Sequence, residues 1–281
     1  MTTASEYSEV EYVFEPHASA MPNVRDYVMA LWARRQFMVE LARADLRAAR
    51  SRAILGNFWS VLDPLFQAAI YFFLYAVLRS GSSQIEFLPI LIGGIFLFGL
   101  STAALGEGGS SIRRSKGLML SSTFPRAMLP LTVVYKTYRK FVPMACVFLV
   151  LFPLVGGKFG PGLFLLPLVF GIQLVMNIGI SLLVATYVTL VPDGTNVVQY
   201  VTRILFFATP VIYPISLLPA AAKVLIAWQP LFALFASYQA IFGGDVPRFT
   251  DVLQAMVWAV GLLVLGAWVF LRREREFTIH L

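Results

Sequence analysis

The residues able to do chemistry in this chain lie in or beside apolar runs, and their types and spacing assemble no reaction centre. Asp63 and Gln67 stand near the start of the first run and Glu107 just past the second. Lys136, Arg139 and Lys140 sit in the early half of the third, Gln173 and Asn177 in the fourth, and Gln199 and Arg203 near the inner end of the fifth. No G-x-x-x-x-G-K-[ST] segment occurs, so the chain has no phosphate-cradling loop of its own. Gly106-Glu107-Gly108-Gly109 lacks dinucleotide-binding spacing and reads as a helix thinned for close packing. The H-E-x-x-H, G-x-S-x-G and D-D-x-x-D patterns are absent, which leaves soluble hydrolase and metal-dependent prenyl chemistry without tools. His17 and His280 lie near opposite chain ends, and the one cysteine, Cys146, is expected to serve as a small packing residue. No catalytic group and no metal site is expected. A polar side chain in an apolar span is costly unless it faces the bundle or a wet cavity. Gln67, Glu107, Gln173, Asn177 and Gln199 are expected there, with Asp63 and Glu107 alternatively pairing with nearby Arg or Lys.

The elements that must position these residues are membrane spans. The 281-residue chain is 58% hydrophobic and 13% charged, about half the charge of a soluble domain. So few charges cannot cover a water-facing surface, and the apolar surface must face lipid. The net charge of +7 clusters at segment ends, a pattern of membrane orientation rather than a nucleic-acid footprint.

Apolar stretches run over 58–78, 87–105, 128–155, 159–191, 204–222, 224–242 and 252–271. Basic segments flank the set on both sides: Arg43, Arg47 and Arg50 among others before it, and Arg272, Arg273 and Arg275 after it. Both ends are therefore expected in the cytoplasm, which requires an even number of spans. Pro210, Pro214, Pro219 and Pro230 break the region between 210 and 242, so one stretch is read as a re-entrant outer hairpin between spans five and six. Broken backbone at membrane depth is tolerated only beside protein or water. With six spans, all of the 22 Lys and Arg except Arg79, Lys158, Lys223 and Arg248 fall inside. The predicted organisation is an acidic flexible tail at 1–24, an amphipathic interface helix at 25–55, an all-α six-span domain at 56–271 and a cytoplasmic tail at 272–281. No cleavable leader precedes the first run, so the first span is expected to act as its own insertion signal.

Three blocks resemble a known family. The segment from Arg43 through Gly56, Trp59 and Pro64 is similar to the basic helix and L-G-x-x-W-x-x-L-x-P-L signature of type-2 ABC exporter permeases. The segment Gly117–Leu131, with Phe124-Pro125-Arg126 and Leu129-Pro130-Leu131, and the two residues before it resemble that family's N-x-G-L-I-x-K-x-x-F-P-R-x-x-L-P-L. It carries Ser115 and Ser121 where Asn and Lys are usual. Thr209-Pro210-Val211-Ile212-Tyr213-Pro214, followed by Leu218-Pro219, resembles S-P-V-x-Y-P at an outer hairpin.

The resemblance implies a transport permease, not an enzyme. It implies two copies of this chain with two ATP-binding cassette subunits that hold ATP and Mg. The cargo would be a polyprenyl-diphosphate-linked polysaccharide, such as O-antigen, teichoic acid or the galactan of actinobacteria, crossing the bacterial plasma membrane. A drug or small-lipid exporter of the same superfamily is the alternative, and an integral-membrane enzyme acting on lipid-linked sugars is the reading from another class. On this resemblance Arg47, Arg50, Arg113, Arg114, Lys116, Phe124 and Arg126 are expected to couple to the ATPase. Tyr71, Phe72, Tyr75, Phe96, Phe98, Tyr135, Tyr138, Tyr200, Phe206 and Phe207 are candidates for a sugar path, and Pro210, Tyr213, Pro214 and Pro219 for the outer hairpin.

Overall fold

The computed structural model describes residues 24–51, 58–78, 84–122 and 124–279, and every regular element in them is helical. The acidic tail, Arg52, Gly56, Arg79 and His280 lie outside the described residues, as do the side chains of Arg50, Pro64 and Tyr75. The order is α1 (Val24–Ala33), α2 (Arg35–Ser51), α3 (Trp59–Leu78), α4 (Gln84–Ala103) with a π-helical turn (Ala104–Gly108), α5 (Ser111–Arg114), α6 (Lys116–Ser121) and α7 (Met128–Leu154). A 3-10 turn (Pro161–Leu165) leads into α8 (Leu166–Leu190). Then come α9 (Gly194–Ala208), a 3-10 turn (Ile215–Leu217), α10 (Ala220–Ile226), α11 (Pro230–Gly243) and α12 (Phe249–Arg273), closed by a 3-10 turn (Glu274–Thr278).

Among the described residues, four helical stretches are long and apolar enough to cross a bilayer: Phe87–Gly108, Met128–Leu154, Pro161–Leu190 and Phe249–Thr278. α3 adds a helix of 20 residues, while α9 has 15 and α11 has 14. The fifth apolar stretch departs from expectation. Its helix begins at Gly194, not near residue 204, because the turn before it breaks at Pro192-Asp193; it ends at Ala208 because Pro210 follows. Arg203 therefore lies well inside a helix instead of at its inner end. The interface helix is two helices meeting at a turn on Arg34, where the amide of Phe37 donates to the Arg34 carbonyl at 3.0 Å. The connection after α4, expected to be a loop, contains α5 and α6.

The core is built from α4, α8 and α11, which are buried along most of their length. α12 instead presents Val257, Val260, Val264 and Trp268 outward, at helical spacing, as a lipid-facing stripe. Cys146 also lies exposed on α7, so its expected packing role is corrected: it falls on the helix face opposite the buried Phe141 and Phe148. α12 grips α8 through small residues. A methyl group at Gly179 would meet the Leu262 carbonyl oxygen at 2.5 Å, and one at Gly266 would strike the Gly179 backbone. Lipid offers no hydrophobic drive for two helices to associate, so backbone approach of this kind supplies the dispersion contacts. Gly108 and Gly109, by the same token, let the end of α4 lie against Ser181 and Val184, the thinning expected of that run.

Among the described residues, buried polar side chains are satisfied locally except at Asn177 Oδ1 and Gln229 Oε1. Gln173, fully buried on α8, donates to the Leu97 carbonyl at 2.8 Å and to Ser101 Oγ at 3.3 Å, and accepts from Tyr238 Oη at 2.8 Å. One amide thus joins α4, α8 and α11. Gln239 on α11 clamps the proline-broken segment. Its Nε2 donates to the carbonyls of Pro210 (2.7 Å) and Tyr213 (2.8 Å), and its Oε1 accepts from the amide of Ile215 at 3.1 Å. Gln254 Nε2 donates to Ala227 at 2.7 Å, tying α12 to the end of α10. We expect Gly179→Val to cost about 1–3 kcal/mol by overpacking, read as a lower melting temperature and poorer folded yield in detergent. Gly99→Ala, whose added methyl meets nothing within 4 Å, should be neutral; equal behaviour of the two would contradict the α8–α12 contact.

Candidate functional site

Four helices contribute one stripe each to a partly open cleft of about 1010 Å³. α3 supplies Asp63, Gln67 and Tyr71, four residues apart. α9 supplies Thr195, Gln199, Thr202, Arg203, Phe206 and Phe207, a single helical face. α7 supplies Thr137, Lys140, Phe141 and Met144. α4, its π turn and α5 supply a line from Phe96 and Phe98 through Gly99, Glu107 and Ser110 to Arg114. The π turn, Ala104–Gly108, exposes Gly106 and Glu107 to the cleft while Gly108 stays buried against α8.

The stripes align so that the cleft has two chemically different ends. Tyr71, Phe98 and Phe206 meet at one: the Phe206 ring lies 5.4 Å from Tyr71 and 5.2 Å from Phe98, and Phe207 is 5.4 Å from Phe206. At the other end stand Asp63, Glu107, Ser110, Arg114, Lys140 and Gln199. Five of the ten aromatic candidates thus border the cleft: Tyr71, Phe206 and Phe207 at its surface, with Phe96 and Phe98 buried in the core behind it. Four others do not. Phe72 packs on the core, and Tyr138 stacks on Phe170 at 5.0 Å and accepts from Asn177 Nδ2 at 3.1 Å. Tyr135 is half-buried off the cleft, and Tyr200 is exposed on another face of α9. Of the polar residues, Gln67, Glu107 and Gln199 face the cleft, whereas Gln173 and Asn177 are spent inside the bundle.

The π turn is held by charge. Lys136 Nζ on α7 lies 3.0 Å from Glu107 Oε2 and 3.2 Å from Asp45 Oδ2 on α2. Asp45, which spoils the apolar side of the amphipathic helix, is explained by this bridge: it docks α2 on α7 and links it through one ammonium to the cleft wall. The fixed spacing of α2 carries no hint of Lys136, so only the folded arrangement reveals the triad.

Beside it, a joint gathers α1, α2, the start of α7 and the end of α12. Phe124 meets Phe37 at 5.4 Å, and Phe270 meets Phe277 at 5.2 Å. The Arg126 amide donates to Glu274 Oε1 at 2.7 Å and its guanidinium to the Glu274 carbonyl. The Ala127 amide donates to Tyr27 Oη at 3.2 Å. Burial, with Glu274 nearby, pushes the Tyr27 phenol far above its ordinary range, so it remains a neutral hydroxyl. Arg113 is likewise committed, donating to the Val191 and Pro192 carbonyls, both at 2.9 Å, at the end of α8. Arg114 donates to the Glu107 carbonyl at 2.7 Å. Arg47 and Lys116 are exposed. Tyr213 Oη donates to the Phe207 carbonyl at 2.9 Å, Pro210 is buried, and Pro214 and Pro219 precede the short helices that follow them. Gln239, Glu274, Tyr27 and Tyr238 are structural partners that sequence patterns did not single out; a lone amide at 239 in an apolar run was the one available signal.

Several apolar helices of membrane-spanning length around a cleft lined by both charged and aromatic residues fit a transport permease. The chain belongs to the ABC-2 type transporter family, whose model matches residues 35–242. It is similar to an O-antigen export system permease protein of Myxococcus xanthus, with 28% identity over 255 residues, covering 89% of this chain and 97% of that protein. It is also similar to an O-antigen export system permease protein of Klebsiella pneumoniae, 22% identical over 86% of this chain and 93% of the relative.

Lys136→Gln should release α2 from α7. The pairs are partly exposed, so about 1 kcal/mol is at stake, seen as a several-fold rise in amide exchange across α2. Asp45→Asn should move α2 in the same direction by less. Unchanged exchange in both would contradict the bridge.

Proposed function

We propose that the chain is the membrane subunit of an ATP-driven exporter that carries a polyprenyl-diphosphate-linked polysaccharide, such as an O-antigen or galactan, across the bacterial plasma membrane. The observation that carries this reading is the cleft. It is partly open, as half of a conduit shared by two copies of the chain would be, and Tyr71, Phe206 and the exposed Phe207 offer ring faces that stack on sugar C–H surfaces without demanding one sugar geometry. The full-length likeness to O-antigen export permeases supports the choice of cargo over a drug or small lipid.

In this reading both termini are cytoplasmic, α3, α4, α7, α8, α9 and α12 are the six spans, and the Tyr213–Gly243 region is the outer hairpin, its turns held by Gln239. ATP and Mg are bound by two partner cassette subunits. Their closure pushes on α1, α2 and the α5–α6 segment. Arg47, Arg50 and Lys116 meet the partner, while Arg113, Arg114, Phe124 and Arg126 make the segment rigid enough to transmit force through the Lys136 bridge to the π turn. Glu107 then moves with α2, and the cleft widens.

Three outcomes test this reading. The purified chain alone should show no saturable ATP binding, and the complex with the partner should hydrolyse ATP. Cells lacking the chain should retain polymer inside and recover export with the wild-type gene; unaltered polymer display, with loss of drug resistance instead, would favour the small-molecule exporter. Lys116→Glu should insert normally and lose export by about tenfold or more, the effect of reversing a charge in a docked interface. Arg113→Glu should lower folded yield instead, because it removes the cap on α8. Normal export by the Lys116 variant would exclude this segment from coupling.

A further inference from the structure

Three long helices meet an exposed phenylalanine at one end of the bundle. Phe249 opens α12, Phe164 stands in the 3-10 turn before α8, and Phe159 follows α7; they are 77%, 90% and 61% exposed. Each continues an apolar stripe. On α12, Phe249, Leu253, Val257, Val260, Val264 and Trp268 recur at helical spacing on one face, and all are exposed. Leu168 lies one turn after Phe164, and Val150 and Leu154 precede Phe159; these too are exposed. Phe159 is seated from behind by the buried Phe152, with 5.3 Å between ring centroids.

α12 gives these rings a depth. No charged residue stands between Asp251 and Arg272. Phe249 and Trp268 are nineteen positions apart, about 29 Å along the axis, against about 30 Å for the hydrocarbon core of a bilayer. At the far end Arg272 lies over the Trp268 ring at 5.4 Å, an aromatic and a cation of the kind that mark a membrane–water boundary. That puts Phe249 at the opposite boundary. The turn between α7 and α8 is held at the same level, because it meets the turn between α11 and α12 backbone to backbone. A methyl group at Gly160 would strike the Gly244 carbonyl oxygen, and one at Gly162 the Asp245 carbonyl oxygen, an approach that glycine permits. Lys158 directly precedes Phe159 and Arg248 directly precedes Phe249, and both cations are exposed.

We infer that Phe159, Phe164 and Phe249 form a lipid anchor, with the rings in the acyl boundary of one leaflet and Lys158 and Arg248 reaching the phospholipid phosphates beside it. Lipid is the occupant because each ring is continuous with a stripe that lies at hydrocarbon depth. In the topology proposed above the leaflet is the outer one; the side, not the anchor, rests on that reading. The anchor accounts for two of the four cations that the six-span arrangement leaves outside. It holds one end of α7, α8 and α12 at a fixed depth while force enters the opposite end of the bundle through α2.

Cys146→Ser leaves the chain without cysteine, so single nitroxide labels can be placed in the permease bound to its partner ATPase in phospholipid nanodiscs. Collisions with oxygen and with a water-soluble nickel chelate report the depth of each label. Labels at Phe159→Cys, Phe164→Cys and Phe249→Cys should share one depth, about 15 Å from the bilayer centre. A label at Val260→Cys, about 16 Å further along α12, should lie near the centre, and labels at Lys158→Cys and Arg248→Cys should favour the chelate. The depths at the three phenylalanine positions should not change when the complex is trapped with nucleotide. Free access of the chelate to all three would put the rings in water and overturn the anchor. Access of neither reagent would overturn it too, since a protein surface would then cover the rings. A shift of several ångströms on trapping would overturn the fixed depth. A membrane-impermeant maleimide on Asp245→Cys in whole cells reports the side separately, and labelling from outside is expected. Labelling only after permeabilisation, with the depths intact, keeps the anchor and removes the proposed topology.

Discussion

A bilayer core cannot solvate a charge or an unpaired amide, and nearly every polar residue in this protein is placed by that constraint. Three solutions are visible. Gln173 and Gln239 spend their full amide capacity inside the bundle, one joining α4, α8 and α11, the other holding a proline-broken turn. Lys136 is balanced by two carboxylates from different elements. The remainder, from Asp63 to Arg203, face one cleft. Had these side chains been distributed evenly around their helices, no lipid-facing surface would exist; gathered on one stripe per helix, they leave α12 and the outer face of α7 apolar.

The cleft and the joint beside it are mechanically connected. α2 is docked on α7 through Asp45 and Lys136, and Lys136 also holds Glu107 in the π turn. A π turn is a short interruption of helical hydrogen bonding and recurs at functional sites. Here it turns Gly106 and Glu107 toward the cleft while Gly108 and the following Gly109 pack on α8. Displacement of α2 is therefore felt first at Glu107. The Arg126–Glu274–Tyr27 contacts fix the other side of the joint, so force on α1 and α2 is not dissipated in a loose connection.

Much of the helical layout was legible in the sequence, because hydropathy and proline placement are local signals. The helices starting at Trp59, Met128 and Phe249 fall close to their apolar runs. The limits of α9 were not legible: its first ten residues, Gly194–Arg203, carry the polar wall of the cleft, and a polar stripe lowers hydropathy where a helix is present. The aromatic path was half legible for a related reason. Composition identifies rings in spans, but Tyr71 and Phe72 are adjacent in sequence and point to different places, one to the cleft and one to the core. The joint was hidden almost entirely, since Arg126 and Glu274 lie far apart in the chain. Arg113 looks like a surface cation until its two carbonyl partners at the end of α8 are seen.

The central claim is that cargo passes along the cleft from its charged end past its rings. A photo-activated benzophenone side chain at Phe206 or Phe207, compared with one at the 90%-exposed Phe164 outside the cleft, tests it in cells exporting polymer. The account predicts glycan captured at Phe206 and Phe207 when the partner ATPase is functional, little capture when it is inactive, and none above background at Phe164. Equal capture at Phe164, or none in the cleft during active export, would contradict it.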